Sequence, residues 1–202
     1  MMKHYLLPAM LALTASAFTA NAKTTDLSWN YLSAGYAKMS IDDTGLKNID
    51  LDGQQYIASY ALTDIFFIQA NYLTLSGDFD LDDMMGLPMD ASELGLSIGM
   101  RQPIYANGEA FIQAGFNRTE FDIFGTDETS SGIQASTGVR FRLLADLELS
   151  GALRYTNGDN SDGATFADLT ARYRLTPMFD VYVNYQFDSD TSLVAGGVSL
   201  HF

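Results

Sequence analysis

The residues best placed for chemistry in this sequence are five arginines and three acids. Arg101, Arg140, Arg142, Arg172 and Arg174 fall at the ends of alternating segments, and Glu109, Glu148 and Asp180 open the segments that follow. If neighbouring segments pair antiparallel across short turns, all eight come to one level. Charges taken out of water are costly unless paired. The expected product is one layer of arginine–carboxylate pairs, five positive charges against three negative. Such a layer can brace and partly plug a narrow interior, or form an anion-attracting constriction in a small channel.

Residue counts remove most other chemistry. The only histidines are His4 and His201, and there is no cysteine. A His-dependent hydrolytic site, a Cys nucleophile, and metal sites built from His and Cys are therefore absent from the sequence. Nothing places two carboxylates together for glycoside-type hydrolysis, so no enzyme is expected. "NIDLDG" (Asn48 to Gly53) begins like an EF-hand loop, but Ser59 stands where the bidentate Glu belongs. Asp78, Asp80 and Asp82 alternate with apolar residues, which describes a strand continuing past a membrane as well as it describes calcium ligands. No resident cofactor is expected, only loosely held calcium or magnesium at acidic loops. The formal net charge of −14 disfavours nucleic acid, whose phosphates would be repelled.

The segments that must position these groups are read from their punctuation. Tight connections at Thr63–Asp64, Pro103–Gly108, Leu144–Asp146 and Thr176–Met178 alternate with longer acidic ones at 41–52, 77–90, 120–129, 157–163 and 188–191. The long connections hold 17 of the 25 acids and one base, Lys47. Four short turns with both termini on the same side require ten strands, at 27–39, 53–62, 65–76, 91–102, 109–119, 130–143, 147–156, 164–175, 179–187 and 192–202; eight is the alternative.

The faces of those strands differ in a regular way. Ile133, Ala135, Thr137, Val139 and Phe141 alternate with Gln134, Ser136, Gly138 and Arg140, and Val181, Val183, Tyr185 and Phe187 alternate with Tyr182, Asn184 and Gln186. This is the period of a strand with unlike faces. Aromatics near strand ends suit membrane interfaces, and small residues on the polar parity suit a tight lumen. The first strand has aromatics on both parities, so its register is open. In the third, Phe66, Ile68, Ala70 and Tyr72 are expected outward, with Gln69 and Asn71 inward.

The ends set the compartment. Lys3, an apolar run from Tyr5 to Phe18, and Ala20-Asn21-Ala22 read as a cleaved secretory signal over residues 1–22. Residues 23–202 are then one domain. The terminal "LVAGGVSLHF" alternates to the last residue. Gly197, Leu200 and Phe202 resemble the C-terminal assembly signal of bacterial outer-membrane proteins, which is read by the barrel-assembly machinery. With "WNYLSAGYAKM" and "STGVRFRLLADLELSGALRY", the chain resembles the small porin-like outer-membrane β-barrels, OmpA-like and OmpX-like in the broad sense.

That resemblance implies an all-β, antiparallel up-and-down transmembrane barrel in the outer membrane of a Gram-negative cell. A monomer is expected, with outer-membrane lipid and lipopolysaccharide as its partners. The expected role is structural, stabilising the envelope. The alternatives are a narrow porin-like channel for small solutes or ions, and surface adhesion through the acidic loops.

Overall fold

In the computed structural model, alternation along the chain resolves into ten antiparallel strands. The structure describes residues 27–42, 49–79, 87–123, 126–159 and 163–202. The strands are β1 (Tyr31–Ile41), β2 (Ile49–Ala61), β3 (Phe66–Phe79), β4 (Leu87–Tyr105), β5 (Gly108–Ile123), β6 (Thr126–Arg142), β7 (Leu147–Gly158), β8 (Ala164–Arg174), β9 (Phe179–Phe187) and β10 (Thr191–His201). Each pairs with its chain neighbours, and β1 pairs with β10, closing the barrel. Closure removes every free edge, which a lipid environment demands. Residues 1–26, and with them the signal-peptide reading, lie outside the described residues, as do Asp80 and Asp82.

Register fixes the shape. Following paired residues from Gly35 by way of β10 arrives on β6 at Arg142, whereas the route through β2 arrives at Ser130. That twelve-residue stagger for ten strands tilts them by about 40° to the barrel axis, the usual range for a closed sheet. The resulting interior is narrow.

One parity faces out on every strand. Leu94, Leu96, Ile98 and Met100 on β4, and Val194 and Val198 on β10, are exposed apolar residues that only lipid would solvate well. β3 turns Phe66, Ile68 and Tyr72 out and buries Phe67. β1, whose pattern was open, buries Tyr31, Ser33 and Ala37 and exposes Leu32 and Tyr36. Tyr60, Phe66, Tyr105, Tyr173, Phe179 and Phe202 ring the short-turn end, and Tyr36, Tyr56, Tyr72, Phe116 and Tyr185 ring the other. Between these girdles the wall is apolar. Beyond the second girdle polar pairs take over. Lys38 Nζ lies 3.7 Å from Asp50, and Arg118 lies 2.6 Å from Glu120. At this rim the Ser40 hydroxyl, and then Lys38, hold the Asp50 carboxyl below the ordinary carboxylate range.

The turns carry their own logic. Thr63 Oγ1 accepts from the Phe66 amide at 2.9 Å, and Thr176 Oγ1 accepts from the Phe179 amide at 3.1 Å. A threonine hydroxyl satisfies the inner amides of both turns.

Two expectations are corrected. Among the described residues the long connections at 77–90 and 120–129 are strand, since β3 runs to Phe79, β4 starts at Leu87, β5 runs to Ile123 and β6 starts at Thr126. Backbones paired above the membrane need no apolar face. Residues 27–30, read as the start of the first strand, precede β1 and have another task.

Candidate functional site

The floor of the lumen is assembled by three hairpins that repeat one spacing. Arg101, Arg140 and Arg172 each precede a carboxylate by eight residues: Glu109, Glu148 and Asp180. Arg140 pairs with Glu148 at 2.6 Å, Arg101 with Glu109 at 3.6 Å and Arg172 with Asp180 at 3.7 Å. Register sets Arg142 opposite Glu148 and Arg174 opposite Asp180. Each pairing arginine thus sits two residues above the directly opposed position and reaches down diagonally. These pairs join Arg101, Arg140 and Arg172 to the three carboxylates, and Arg142 and Arg174 stand level with Glu148 and Asp180 on the turn side.

The fourth hairpin, β2–β3, has Ser59 and Phe67 at the same spacing. Its apolar side chain is why the floor has an aromatic centre. Trp29 packs against Phe67 with ring centroids 4.0 Å apart and planes tilted by 37°, and meets Phe111 edge-on at 5.5 Å. These three rings are buried together. Gly99 makes the room, because a Cβ there would lie 2.3 Å from the Phe67 ring. Gly35 does the same for Tyr182, whose hydroxyl would lie 2.5 Å from an added Cβ. The small residues of the lumen parity therefore accommodate large side chains from neighbouring strands.

Residues 27–30 form a strap across the short-turn mouth. Trp29 Nε1 donates to Glu109 at 2.6 Å, and Arg140 Nη2 donates to the Ser28 carbonyl at 3.1 Å. The Arg140 guanidinium stands 4.3 Å from the Trp29 ring centroid, favourable for cation–π attraction. Asn30 ties the strap to the wall by accepting from the Ala61 amide at 2.7 Å. The final residue joins it, the Phe202 amide donating to the Asn30 carbonyl at 3.2 Å. On the far side of the floor, Arg172 donates to Ser199 at 2.6 Å and lies over Tyr31 at 4.6 Å. His201 Nε2 meets Asp180 Oδ2 at 2.5 Å.

A second tier crosses the lumen higher up. Arg154 on β7 reaches Glu93 on β4 at 3.5 Å, although β5 and β6 separate those strands in the sheet. Asn71 donates to Glu93 at 3.3 Å, and Arg154 also donates to Gln186. Alternation along β4 and β7 sets Glu93 and Arg154 on the lumen parity, but a contact across the bore has no local signature. Trp29 was missed for a similar reason, since it belongs to no strand.

Above the floor lies a cavity of about 670 Å³, lined at its base by Trp29, Tyr31, Phe111, Arg140, Arg172 and Tyr182. Its sides carry Gln134, Ser136, Asp168, Asn184 and Gln186 on β6, β8 and β9, and on β1–β3 and β10 Met39, Ile57, Leu73 and Leu193 interspersed with Gln55, Gln69 and Asn71. Among the described residues no three Asp, Glu or His side chains converge on a metal-sized site. Asp78 is on the outer face of β3.

The assembly-signal residues occupy the seam. Gly197 lies opposite Gly35, where a Cβ would fall 2.1 Å from the Ala34 carbonyl oxygen. Phe202 is exposed and stacks on Tyr60 with centroids 6.5 Å apart. Leu200, half-buried, continues the outward parity with Val198.

A closed ten-stranded barrel with lipid-facing apolar residues, two aromatic girdles and a polar lumen is an outer-membrane architecture. Residues 6–187 match the family described as outer membrane protein beta-barrel domain. The chain belongs to that outer-membrane β-barrel family. No curated protein sequence matches it significantly. Among solved structures it is similar to the NanC porin, with 12% identity and a TM-score of 0.52 over 85% of this chain and 100% of that one. It is also similar to Ail, the attachment invasion locus protein of Yersinia pestis, at 14% identity and a TM-score of 0.43, covering 85% and 97% of the two chains. OprG from Pseudomonas aeruginosa follows at 13% and 0.44, covering 85% and 94%. At such identities the likeness extends to the fold alone. Family membership places the chain in the outer membrane.

Proposed function

We propose that this outer-membrane barrel is a non-conducting, non-enzymatic element that braces the envelope. The supporting observation is the floor, where three arginine–carboxylate pairs surround a strap whose Trp29 is 3% exposed. Buried ion pairs of this geometry tie neighbouring strands together at one level, and the buried rings of Trp29, Phe67 and Phe111 fill the centre of the floor. The partners in this reading are lipid and lipopolysaccharide. Asp90, Asp122 and Asp127 lie side by side in register on the outer face; like charges so placed repel, and loosely held calcium or magnesium shared with lipid phosphates would screen them.

The decisive measurement is single-channel recording in planar bilayers. The native barrel should give a flat baseline, and discrete openings would overturn the closed reading. Trp29→Ala combined with Phe67→Ala should produce openings, which shows that the assay can see an unplugged lumen. Bracing is tested in cells: if loss of the protein leaves detergent tolerance unchanged, that role fails.

A further inference from the structure

We infer that the lipid-facing wall of β10, β1, β2, β3 and β4 seats one acyl chain of a phosphorylated outer-leaflet glycolipid, and that Arg118 meets its phosphate. The wall is hollowed there. A depression of about 440 Å³ is lined by Val198, Ala34, Ala58, Ala70, Tyr72 and Leu94 with their neighbours, a size within the range of small-molecule sites. It lies between the two girdles, where hydrocarbon is the solvent. The stacked rings of Tyr56 and Tyr72, centroids 6.4 Å apart, form its upper margin.

Register gives the depression a direction. Val198 is opposite Ala34, Ala34 opposite Tyr56, Tyr56 opposite Tyr72, Tyr72 opposite Leu94 and Leu94 opposite Arg118. This row crosses five strand spacings, about 24 Å. The stagger that carries the path through β2 up to Ser130 also tilts the row, so it climbs about 15 Å toward the long-loop end. That is half of the roughly 30 Å hydrocarbon core, the depth of one leaflet. The row thus begins in the apolar belt and ends above the second girdle, where the phosphate of a seated lipid would stand. Arg118 waits there, its side chain 58% exposed. Glu120 accepts from its Nε at 2.9 Å and lies 2.6 Å from its Nη2, but an exposed pair of this kind is weak. The guanidinium has five donors in a planar fork that suits phosphate. The ammonium of phosphatidylethanolamine would be repelled by Arg118, and a second copy of the barrel would bring a convex wall to a hollow.

The inference rests on the reading that lipopolysaccharide is a partner of the barrel, and it names the place of contact. It is tested by native mass spectrometry of the purified barrel, titrated with diphosphorylated lipid A, phosphatidylethanolamine or phosphatidylglycerol in the presence of magnesium. One lipid A should bind at saturation, and both phospholipids should bind at least about fivefold more weakly, a difference of one charged contact. Ala58→Phe, which fills the hollow, and Arg118→Gln should each weaken lipid A about three- to tenfold, with folding checked by heat-dependent gel mobility. Arg118→Lys should recover part of the loss, and Ala171→Phe, on the outer face of β8, should change nothing. The inference is overturned by the absence of saturation at one lipid A per barrel, by a phospholipid binding as tightly, by native affinity in either folded variant, by an equal loss in Ala171→Phe, or by a barrel dimer that Ala58→Phe disperses. The two readings fail separately. Unchanged detergent tolerance in cells lacking the protein sinks bracing and leaves this seat in place, whereas absent lipid A binding removes the seat and leaves the braced floor.

Discussion

Arg140 shows how one buried cation organises its surroundings. Its guanidinium pairs with Glu148, donates to the Ser28 carbonyl and covers the Trp29 ring. Removing it breaks that pair and frees the strap together, leaving Glu148 the Arg142 that stands opposite it in register. Arg140→Ala should therefore destabilise the barrel by about 3 kcal/mol, the lower end of the cost of breaking a buried pair. Urea unfolding of the reconstituted protein measures this. Arg140→Ala with Glu148→Ala should be less damaging than the arginine change alone, and equal or greater loss would show that Glu148 is fully compensated by its other neighbours. Gly99→Ala puts a methyl group 2.3 Å from the Phe67 ring and should cost about 1–3 kcal/mol of overpacking. Phe67→Leu in the same chain should recover part of it. The eight-residue spacing of these pairs could be read from the sequence, since parity and turn length dictate it. Trp29 could not, because nothing local distinguishes a strap residue from the first residue of a strand.

At the scale of elements, the seam between β1 and β10 is the weakest place to alter. Gly35 and Gly197 face each other there, and the atom nearest a Cβ on Gly197 is backbone, which cannot yield. Gly197→Val should prevent closure. The measurement is heat-modifiable migration in gels, where a closed barrel runs faster than its boiled form; retention of the fast band would refute the seam argument. Strand number, and the facing of most strands, follow from alternation and turn chemistry, which are local. Strand length does not. β4 has 19 residues and β9 has 9, because pairing above the membrane is rewarded by backbone hydrogen bonds that hydropathy does not record. The facing of β1 was undecided for the same kind of reason: tyrosine suits lumen, girdle and floor alike, and only the partners of Tyr31 and Tyr36 separate them.

For the molecule as a whole, the uneven strands make a tall wall on the β4–β5–β6 side and a low one at β9–β10. The tip of the tall wall should be reachable from outside the cell. As the chain lacks cysteine, Asp127→Cys offers a single thiol, which a membrane-impermeant maleimide should label on intact cells; labelling only after the outer membrane is breached would invert the topology. Deleting residues 120–129 should leave gel mobility and the unfolding midpoint nearly unchanged, since the floor and girdles lie elsewhere. The strap has a consequence for the order of assembly. Trp29 meets Glu109 across 80 residues of chain, and Ser28 meets Arg140 across 112. Contacts so distant in sequence form late, once the loops between them are already constrained, and the Asn30–Phe202 bond must await the final strand. A newly inserted barrel would thus be leaky before it is sealed, and the last event of its maturation would be the return of its own beginning.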